Sequence, residues 1–242
     1  MEPEDVTEYS RQSYWDARYE KEPSYDWFET AYADCVEKAW CAIHRAALHK
    51  QAGAVGSSSS DELRLVVVHL GCGNSKLCAD IAKRWEDASS SSCNHNINGL
   101  RLHQIAVDYS PVVIQNMKER YGSVLSTIVG GGKEQHATPL CTVDWKVGDI
   151  RRLGSEVAPD DVADVVIDKG TMDALQADKE NDDLDEDIDA MLKEVSRIMR
   201  PDASLFVQMT WEIPYYRYHY TKRTEYAWGK SLDRLEQSFI GA

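Results

Sequence analysis

The feature that most constrains this sequence is a repeated alternation of short apolar runs with amphipathic segments of helical period. The first apolar run, LRLVVVHL at residues 63–70, breaks into Gly-Cys-Gly-Asn and then into a helical pattern at residues 75–87. A second run at residues 100–108 leads in the same way into a helical pattern at residues 110–122, with Ser110 as the expected N-cap. Near-continuous apolar strands that alternate with helices are typical of a mostly parallel sheet covered on both faces. The sequence therefore predicts an α/β, doubly wound fold.

The rest of the chain continues this pattern, and stretches of small polar residues interrupt it. Three further strands are expected at residues 141–149, 162–168 and 204–210, with amphipathic helices at residues 31–50 and 185–200. The Ser-rich and Gly-rich stretches are interpreted as flexible connections or insertions, and they cover residues 57–60, 89–98 and 124–140.

Length and composition limit the kind of protein. The chain has 242 residues, of which 43% are hydrophobic, which is enough for one sizeable core and a single domain. Its formal net charge of −14 disfavours a nucleic-acid partner held by phosphate contacts. An acidic surface suits a basic partner such as a lysine-rich protein, although net charge can also serve only to keep a protein soluble.

The six cysteines indicate neither a disulfide framework nor a metal centre. None forms a C-x-x-C pair, and no Cys/His cluster has the spacing of zinc ligands, so no metal site is expected. The polar, acidic start MEPEDVTEYSRQ lacks the pattern of a signal peptide, and no apolar run approaches the ~18 residues of a membrane span. These observations favour a reducing, cytoplasmic setting without membrane insertion.

The residues just after each strand are the candidates for a site, because ligands of open α/β sheets bind beyond the carboxyl ends of the strands. Gly71 and Gly73 follow the first strand and permit a tight turn in which a ligand approaches the main chain. The third glycine of the dinucleotide-binding fingerprint is absent, because Lys76 occupies its place. A ligand with a pyrophosphate is therefore disfavoured.

Carboxylates follow the next three strands. Asp108 can accept both hydroxyls of a ribose, and the adjacent Tyr109 can lie against a purine ring. Asp149 can accept from an adenine amino group, and Asp168 and Lys169 lie at the same edge. Together these strand ends describe a nucleoside site without a pyrophosphate cradle. S-adenosylmethionine fits such a site, with its amino-acid tail at the glycine turn.

Four segments carry a resemblance to a known family: VVVHLGCGNSKL, IAVDYSPVVIQNM, VGDIR and DVVIDKGTMDAL. They resemble the seven-strand S-adenosylmethionine-dependent methyltransferases. More narrowly, they are similar to the protein-lysine methyltransferases that modify translation elongation factor 1-alpha (the methyltransferase-like 13 group and its relatives). The N-terminal segments YWDARY and YDWF belong to the same resemblance, which spans residues 14 to about 226.

The resemblance implies a seven-strand sheet and S-adenosylmethionine as the cofactor. It also implies that residues 1–62 supply an aromatic lid and a helix on a cofactor-binding core at residues 63–242, within one domain overall. Alternatively, the N-terminal aromatic side chains only pack on the sheet or helices. The cofactor-binding residues that the motifs and the resemblance together predict are Trp15, Tyr19, Trp27, Gly71, Gly73, Asp108, Tyr109, Asp149, Ile150 and Lys169.

Three features depart from that family. The Ser-rich and Gly-rich stretches have no obvious counterpart, and RPDAS at residues 200–204 stands where many members have a Pro-Gly-Gly turn. The family fold ends in an antiparallel hairpin of two strands. The stretch EYAWGKSLDRLEQSFIGA at the end of the sequence leaves too few residues for a full final strand. An incomplete last strand, from a truncated chain or a short sheet edge, is therefore expected.

Methyl transfer to a lysine requires a neutral amine, whose unperturbed pKa is about 10.4. Asp168, Asp173 and Trp211 are the candidate catalytic residues, the carboxylates to orient the amine or pass its proton to water and Trp211 as an aromatic wall. The tyrosines of IPYYRYHYTKR either extend this wall or form a half-buried edge segment. The acidic run at residues 178–189 either attracts a basic substrate or is a solvated loop.

The sequence thus predicts an S-adenosylmethionine-dependent methyltransferase that N-methylates a lysine of a protein such as translation elongation factor 1-alpha, without a nucleic-acid or membrane partner. A small-molecule methyltransferase and a non-catalytic S-adenosylmethionine-binding protein are the alternatives. No N/D-P-P-Y tetrapeptide follows the fourth strand, which argues against the groups that methylate amides or adenine. An NAD-dependent dehydrogenase is least favoured, because the third glycine is missing.

Overall fold

The computed structural model describes residues 2–54, 63–90, 97, 99–128, 138–201, 204–222 and 226. Its strands are β1 (Arg64–Leu70), β2 (Arg101–Asp108), β3 (Val124–Ile128), β4 (Thr138–Val147), β5 (Val165–Lys169) and β6 (Leu205–Met209). They form one sheet in the order β3-β4-β2-β1-β5-β6, in which every neighbouring pair is parallel except the antiparallel pair of β3 and β4.

Seven α-helices accompany the sheet in the described parts of the chain. They are α1 (Gln12–Lys21), α2 (Tyr32–Ala54), α3 (Leu77–Ser90), α4 (Pro111–Tyr121), α5 (Thr171–Leu175), α6 (Leu184–Ile198) and α7 (Pro214–Thr221). Ser110 caps α4 by accepting a hydrogen bond from the main-chain N–H of Val113, as the sequence predicted.

Both faces of the sheet are covered, which confirms the doubly wound arrangement. Alternate residues of a strand point to opposite faces. In β1, Leu65 and Val67 are buried in a cluster that contains side chains of α2 and α3. Val66 and Val68 are buried in a second cluster, which is built mainly with α6. Consecutive apolar residues in this strand therefore all pack, each against one of two helical layers.

The parallel register brings the strand ends that matter to one edge. Leu70 at the end of β1 is paired with Val107 of β2 and with Asp168 of β5. The chain adds β2 on one side of β1 and later adds β5 on the other, so the turn after Leu70 lies at the topological switch point of the sheet. This is the edge at which the sequence predicted a ligand.

The described residues before β1, residues 2–54, are here called the N-terminal segment, and they contribute to the same core. Phe28, Cys35 and Ile43 are fully buried in the cluster that also holds Leu65 of the sheet and Ile81 of α3. The amphipathic pattern at residues 31–50 is present as α2, which continues to Ala54. The N-terminal segment is thus packed directly on the sheet layer.

The interpretation of residues 124–140 as an insertion was wrong at both ends. Val124–Ile128 is the strand β3, and β4 begins at Thr138, before the expected start at residue 141. Residues 129–137, with the Gly-rich stretch, lie outside the described residues. The error has a physical reason: β3 pairs with only one neighbour, so burial does not impose on it the long apolar run that marks a central strand.

The interpretation of residues 89–98 as a surface insertion was also wrong in part. Helix α3 continues to Ser90, and Ile97 is fully buried in the cluster beneath α2 and α3. Residues 91–96 and 98 lie outside the described residues. One apolar residue near the end of a polar stretch was therefore enough to return the chain to the core.

Six strands, not seven, are present in the described part of the chain. The expected connection at residues 57–60 and the residues after 226, where an incomplete last strand was expected, lie outside it. No helix within the described ranges is both long and apolar enough to cross a membrane.

Candidate active site

A cavity opens at the carboxyl edge of the sheet, between the turns that follow β1, β2, β4 and β5 and the N-terminal segment. The structure brings together at this cavity all ten residues that the sequence predicted for cofactor binding. They are Trp15, Tyr19, Trp27, Gly71, Gly73, Asp108, Tyr109, Asp149, Ile150 and Lys169.

The glycine turn after β1 is shaped by close neighbours. Gly71 and Gly73 have φ angles of +57° and +52°, in the left-handed region that favours glycine. A Cβ atom at Gly71 would lie 2.3 Å from the Thr171 Oγ1, which donates a hydrogen bond to the Leu70 carbonyl at 2.7 Å. A Cβ atom at Gly73 would lie 3.0 Å from the Tyr19 hydroxyl. Glycine is therefore required by both conformation and space.

Asp108 is held firmly beneath this turn. Its Oδ2 accepts a hydrogen bond from the Gly73 N–H at 2.9 Å, and its Oδ1 accepts one from the Ser110 N–H at 3.0 Å. Burial raises the pKa of Asp108 to about 6, although these two hydrogen bonds oppose the shift. Each carboxylate oxygen retains a lone pair beyond the main-chain bond, so the side chain can still accept from two hydroxyl groups of a ligand.

Asp149 lines the cavity but is already engaged. The Arg151 guanidinium donates to its two carboxylate oxygens at 2.8–3.2 Å and also reaches Asp187 of α6 at 2.8 Å. Burial acts to raise the pKa of Asp149, but the hydrogen bonds and charge of Arg151 outweigh it and hold that pKa below its usual value. Arg151 itself lines the cavity, although its role was not predicted from the sequence.

Helix α1 is docked on the turn after β2. The Gln12 Nε2 donates to the Tyr109 carbonyl at 3.0 Å, and the Ser110 hydroxyl donates to the Asp16 carboxylate. The Trp15 and Tyr19 rings stack with their centroids 5.7 Å apart. Both side chains are 7% exposed, so they pack in the core and line the cavity at the same time.

Asp26 joins three parts of the site. Its Oδ1 accepts from the Lys169 Nζ at 2.9 Å and from the Phe28 N–H at 3.0 Å, and its Oδ2 accepts from the Ser75 hydroxyl at 2.6 Å. Lys169, which the sequence predicted to bind the cofactor, lies on the cavity wall in this ion pair. The end of β5, the turn after β1 and the N-terminal segment are thereby linked through one carboxylate.

Asn74 links the same segment to the glycine turn. Its Oδ1 accepts from the Tyr25 N–H at 3.0 Å, and its Nδ2 donates to the Glu22 carbonyl at 2.7 Å. The Asn74 side chain is almost fully buried. The motif VVVHLGCGNSKL contains Asn74 and Ser75, but no role for either residue was predicted from the sequence. The feature of the sequence that could have indicated these contacts is the position of two polar residues directly after the glycine turn.

The three predicted catalytic residues are not among the described residues that line the cavity. Asp168 is fully buried and accepts hydrogen bonds from the Thr171 N–H, the Met172 N–H and the Gln208 Nε2. Burial raises the pKa of Asp168 to about 6. Its carboxylate is turned into the protein, at the paired ends of β5 and β6.

Asp173 and Trp211 lie together beside the cavity. Asp173 forms an ion pair with Arg217 and accepts from the Thr210 hydroxyl at 2.6 Å and from the Trp211 N–H at 3.3 Å. Burial raises the pKa of Asp173, and the positive charge of Arg217 opposes that rise. The segment IPYYRYHYTKR, expected as a wall or an edge, contains the helix α7, on which Arg217 is buried.

Comparisons with known proteins identify the family. The sequence profile of a family described as "Methyltransferase domain" matches residues 62–236, and this chain belongs to that family. Two curated relatives are similar over 93% of this chain and 71% of their own length. They are EEF1A lysine methyltransferase 4 of Bos taurus, 27% identical over 237 residues, and the protein of the same name of Mus musculus, 28% identical over 236 residues.

A solved structure, loganic acid methyltransferase with SAH, aligns with 82% of this chain and with 55% of its own length. The TM-score of this alignment is 0.37, and the sequence identity is 10%. The family match and the architecture at the switch point make the chain an S-adenosylmethionine-dependent methyltransferase.

The residues at the cavity fit this cofactor. Gly71 and Gly73 leave two positions of the cavity wall without a side chain, and Asp108 offers free lone pairs to a vicinal pair of hydroxyls. Lys76 in place of a third glycine is consistent with a ligand that has no pyrophosphate. Within the described ranges, no three His, Cys, Asp or Glu side chains are grouped so that they could hold a metal ion.

Proposed function

We propose that this methyltransferase N-methylates a lysine side chain of a protein, and that translation elongation factor 1-alpha is the first candidate substrate. One observation carries the proposal: similarity over 93% of the chain, N-terminal segment included, to two proteins named as EEF1A lysine methyltransferases. The net charge of −14 supports it, because an acidic enzyme suits a basic protein surface.

We assign the ribose hydroxyls of the cofactor to Asp108 and its amino-acid tail to the turn at Gly71 and Gly73. Trp15, Tyr19 and Trp27 would then enclose the cofactor from the side of the N-terminal segment. Asp149, Ile150 and Tyr109 remain the candidates for the adenine. The ion pair with Arg151 leaves Asp149 fewer free acceptor positions for an adenine amino group than the sequence suggested.

When bound, S-adenosylmethionine supplies a methyl group on a positively charged sulfur, and its transfer to a neutral amine releases S-adenosylhomocysteine and one proton. The aromatic side chains around the cavity exclude water, and desolvation lowers the pKa of an entering lysine amine toward the neutral form. Asp168 and Asp173 are not among the described residues that line the cavity, which favours a positioning role for both. We propose that the amine passes its proton to water.

Labelled-cofactor transfer to purified translation elongation factor 1-alpha tests the proposal. The expected result is tritium in the protein band, with the modified lysine located by mass spectrometry. Asp108→Ala should lose at least 100-fold in transfer and in S-adenosylhomocysteine binding measured by calorimetry. Asp144→Ala, which removes an exposed carboxylate of β4, is the matched control and should change neither.

Two results would contradict the proposal in different ways. Label in the low-mass fraction of a lysate, with no labelled protein, would favour a small-molecule methyltransferase. S-adenosylhomocysteine binding without label in any fraction would favour a non-catalytic binding protein. A cytoplasmic location remains a prediction, which fractionation of cells that express the chain would test.

A further inference from the structure

We propose that four exposed side chains beside the cavity, here called the aromatic patch, dock a lysine- or arginine-rich segment of the protein substrate. The patch consists of Trp211, Ile213, Tyr215 and Tyr216, which follow β6 and begin α7. The proposal rests on the proposed function, in that it assumes a protein substrate, and it adds the chemistry and the place of the contact.

The patch is a concentration of exposed apolar surface. Its side chains are 47%, 50%, 77% and 56% exposed, in chain order. They are four of the eight exposed large hydrophobic residues in the described part of the chain, and they fall within six consecutive positions. Clusters of exposed apolar side chains mark interaction sites, whereas isolated ones do not.

Buried polar contacts fix the main chain that carries the patch. Arg217 of α7 is 5% exposed and forms an ion pair with Asp173 of α5. The Asp173 carboxylate accepts hydrogen bonds from the Thr210 hydroxyl and the Trp211 N–H, at the start of the patch. A surface fixed in this way loses little conformational freedom when a partner binds.

The patch lies next to the rim of the cofactor cavity. One face of the Trp211 ring stacks on the Phe28 ring, with centroids 4.7 Å apart. Phe28 and Trp27 both pack against Gly170, and Trp27 and Gly170 line the cavity. A segment bound on the patch can therefore place one of its lysines at the cavity while its neighbours contact the patch.

The charge beside the patch is negative, which selects a basic partner. The acidic run lies beside α7: Arg217 donates to Gln176, two residues before the run, and the Tyr220 hydroxyl donates to Asp185 within it at 3.0 Å. The run exposes five acidic side chains and one lysine, namely Glu180, Asp182, Asp183, Asp185 and Glu186 with Lys179.

Aromatic rings and carboxylates act together on such a partner. Tyrosine and tryptophan attract lysine and arginine side chains through their ring faces, and they are frequent centres of binding energy at protein interfaces. Carboxylates at the edge of an interface steer an oppositely charged partner and lose this effect as salt is added. The same negative charge disfavours a nucleic-acid occupant.

Binding of a fluorescein-labelled octalysine peptide, followed by anisotropy, tests the patch without reference to catalysis. We expect Tyr215→Ala/Tyr216→Ala to raise the dissociation constant at least tenfold. The control is Leu48→Ala/Val124→Ala, which removes two exposed apolar side chains outside the patch, from α2 and β3, and should change the constant less than twofold. Equal effects of the two double variants would overturn the proposal.

The acidic run is tested with a charge-matched pair. Glu180→Gln/Asp182→Asn/Asp183→Asn should raise the dissociation constant about fivefold at low salt and flatten its salt dependence. Glu4→Gln/Glu20→Gln/Glu119→Gln removes three exposed carboxylates elsewhere and serves as the control. If both triple variants weaken binding equally, net charge alone attracts the peptide and the acidic run has no special part.

Methylation kinetics separate this proposal from the proposed function. With translation elongation factor 1-alpha as substrate, Tyr215→Ala/Tyr216→Ala should raise the KM for the protein at least tenfold and leave S-adenosylhomocysteine affinity unchanged. Peptide binding that follows the expected pattern in an enzyme that labels no lysine would sink the proposed function alone. A melting temperature lowered by more than 5 °C relative to the control would show that the patch serves the fold of this chain, and would overturn the docking proposal.

Discussion

The indole ring of Trp211 lies parallel to the phenyl ring of Phe28, with the centroids 4.7 Å apart and the planes 5° apart. Phe28 is fully buried in the N-terminal segment, whereas Trp211 follows the last described strand and is 47% exposed. This stacked pair is thus a direct contact between the segment that lines the cofactor cavity and the aromatic patch.

A double-mutant cycle measures this contact. Phe28→Leu and Trp211→Ala should each lower the free energy of unfolding, and the double variant should lose about 1 kcal/mol less than the sum, because a stacked aromatic pair contributes about that much beyond its buried area. Urea unfolding of the four proteins gives the coupling energy. Strictly additive losses would mean that the rings touch without stabilising the link.

The turn after β1 should not tolerate a side chain at Gly71. Gly71→Ala places a Cβ atom 2.3 Å from the Thr171 Oγ1 and should weaken S-adenosylhomocysteine binding at least 30-fold by calorimetry. Gly99→Ala is the matched control, since Gly99 also has a positive φ but no atom lies within 4 Å of its added Cβ. Both variants carry the cost of a left-handed alanine, of about 1 kcal/mol, and only the first alters the cavity.

Asn74 should hold the N-terminal segment on the glycine turn. Asn74→Ala leaves the Tyr25 N–H and the Glu22 carbonyl without the partners they now have, at a cost of about 1–3 kcal/mol for each group that stays buried. We expect faster hydrogen exchange at residues 22–28 and at least tenfold weaker cofactor binding. Gln115→Ala, on the exposed face of α4, is the control. Unchanged exchange in Asn74→Ala would show that other contacts suffice.

Asp168 gives a prediction about pH. Burial raises its pKa in the folded protein to about 6 from the ordinary value of 3.8, so the folded state binds the proton more tightly than the unfolded state. The stabilisation that protonation provides is complete below pH 3.8 and is lost as the pH rises through 6. At pH 8 the wild-type protein bears the full cost of a buried charge, about 2–3 kcal/mol.

Asp168→Asn removes this titration while an amide flip of Gln208 can preserve the local hydrogen bonds. The unfolding free energy of the variant relative to the wild type should therefore rise by about 2 kcal/mol between pH 4 and pH 8. Groups that do not interact with Asp168, such as Asp108 with a pKa near 6 and His69 with a pKa lowered to about 4 by burial, occur in both proteins and cancel in the difference. Asp173 cancels only in part, because its negative charge contributes to the raised pKa of Asp168. Denaturant unfolding at the two pH values supplies the measurement, and a constant difference would contradict the shift.

The same variant tests the catalytic role that the sequence predicted. If Asp168 only positions β5, β6 and the turn at Thr171, Asp168→Asn should keep methyl transfer within about tenfold of the wild type, and KM for the protein should not change. A loss of kcat beyond 100-fold, in a variant that binds S-adenosylhomocysteine normally, would restore Asp168 as a group that acts on the amine.

Much of this molecule follows from local sequence. The alternation of central strands with helices and the helix cap at Ser110 can be predicted locally, because the spacing of apolar residues and the capping side chain are visible within a short stretch of sequence. The ligand edge follows in turn from the rule that parallel strands end together. For these reasons the seven predicted residues at the strand ends, from Gly71 to Lys169, line one cavity. Trp15, Tyr19 and Trp27 line it as well, but they were predicted from the family resemblance and not from the strand ends.

The tertiary structure determined which groups the side chains at that edge contact. The sequence placed Asp168 and Lys169 after the same strand, yet the fold turns Asp168 inward to Gln208 and pairs Lys169 with Asp26, from a segment far away in sequence. The roles of Asn74 and Asp26, and the stacking of Trp211 on Phe28, were likewise invisible, because each depends on which remote surface packs there. A polar or aromatic side chain takes its partner from its neighbours in space, and periodicity reports only its neighbours along the chain.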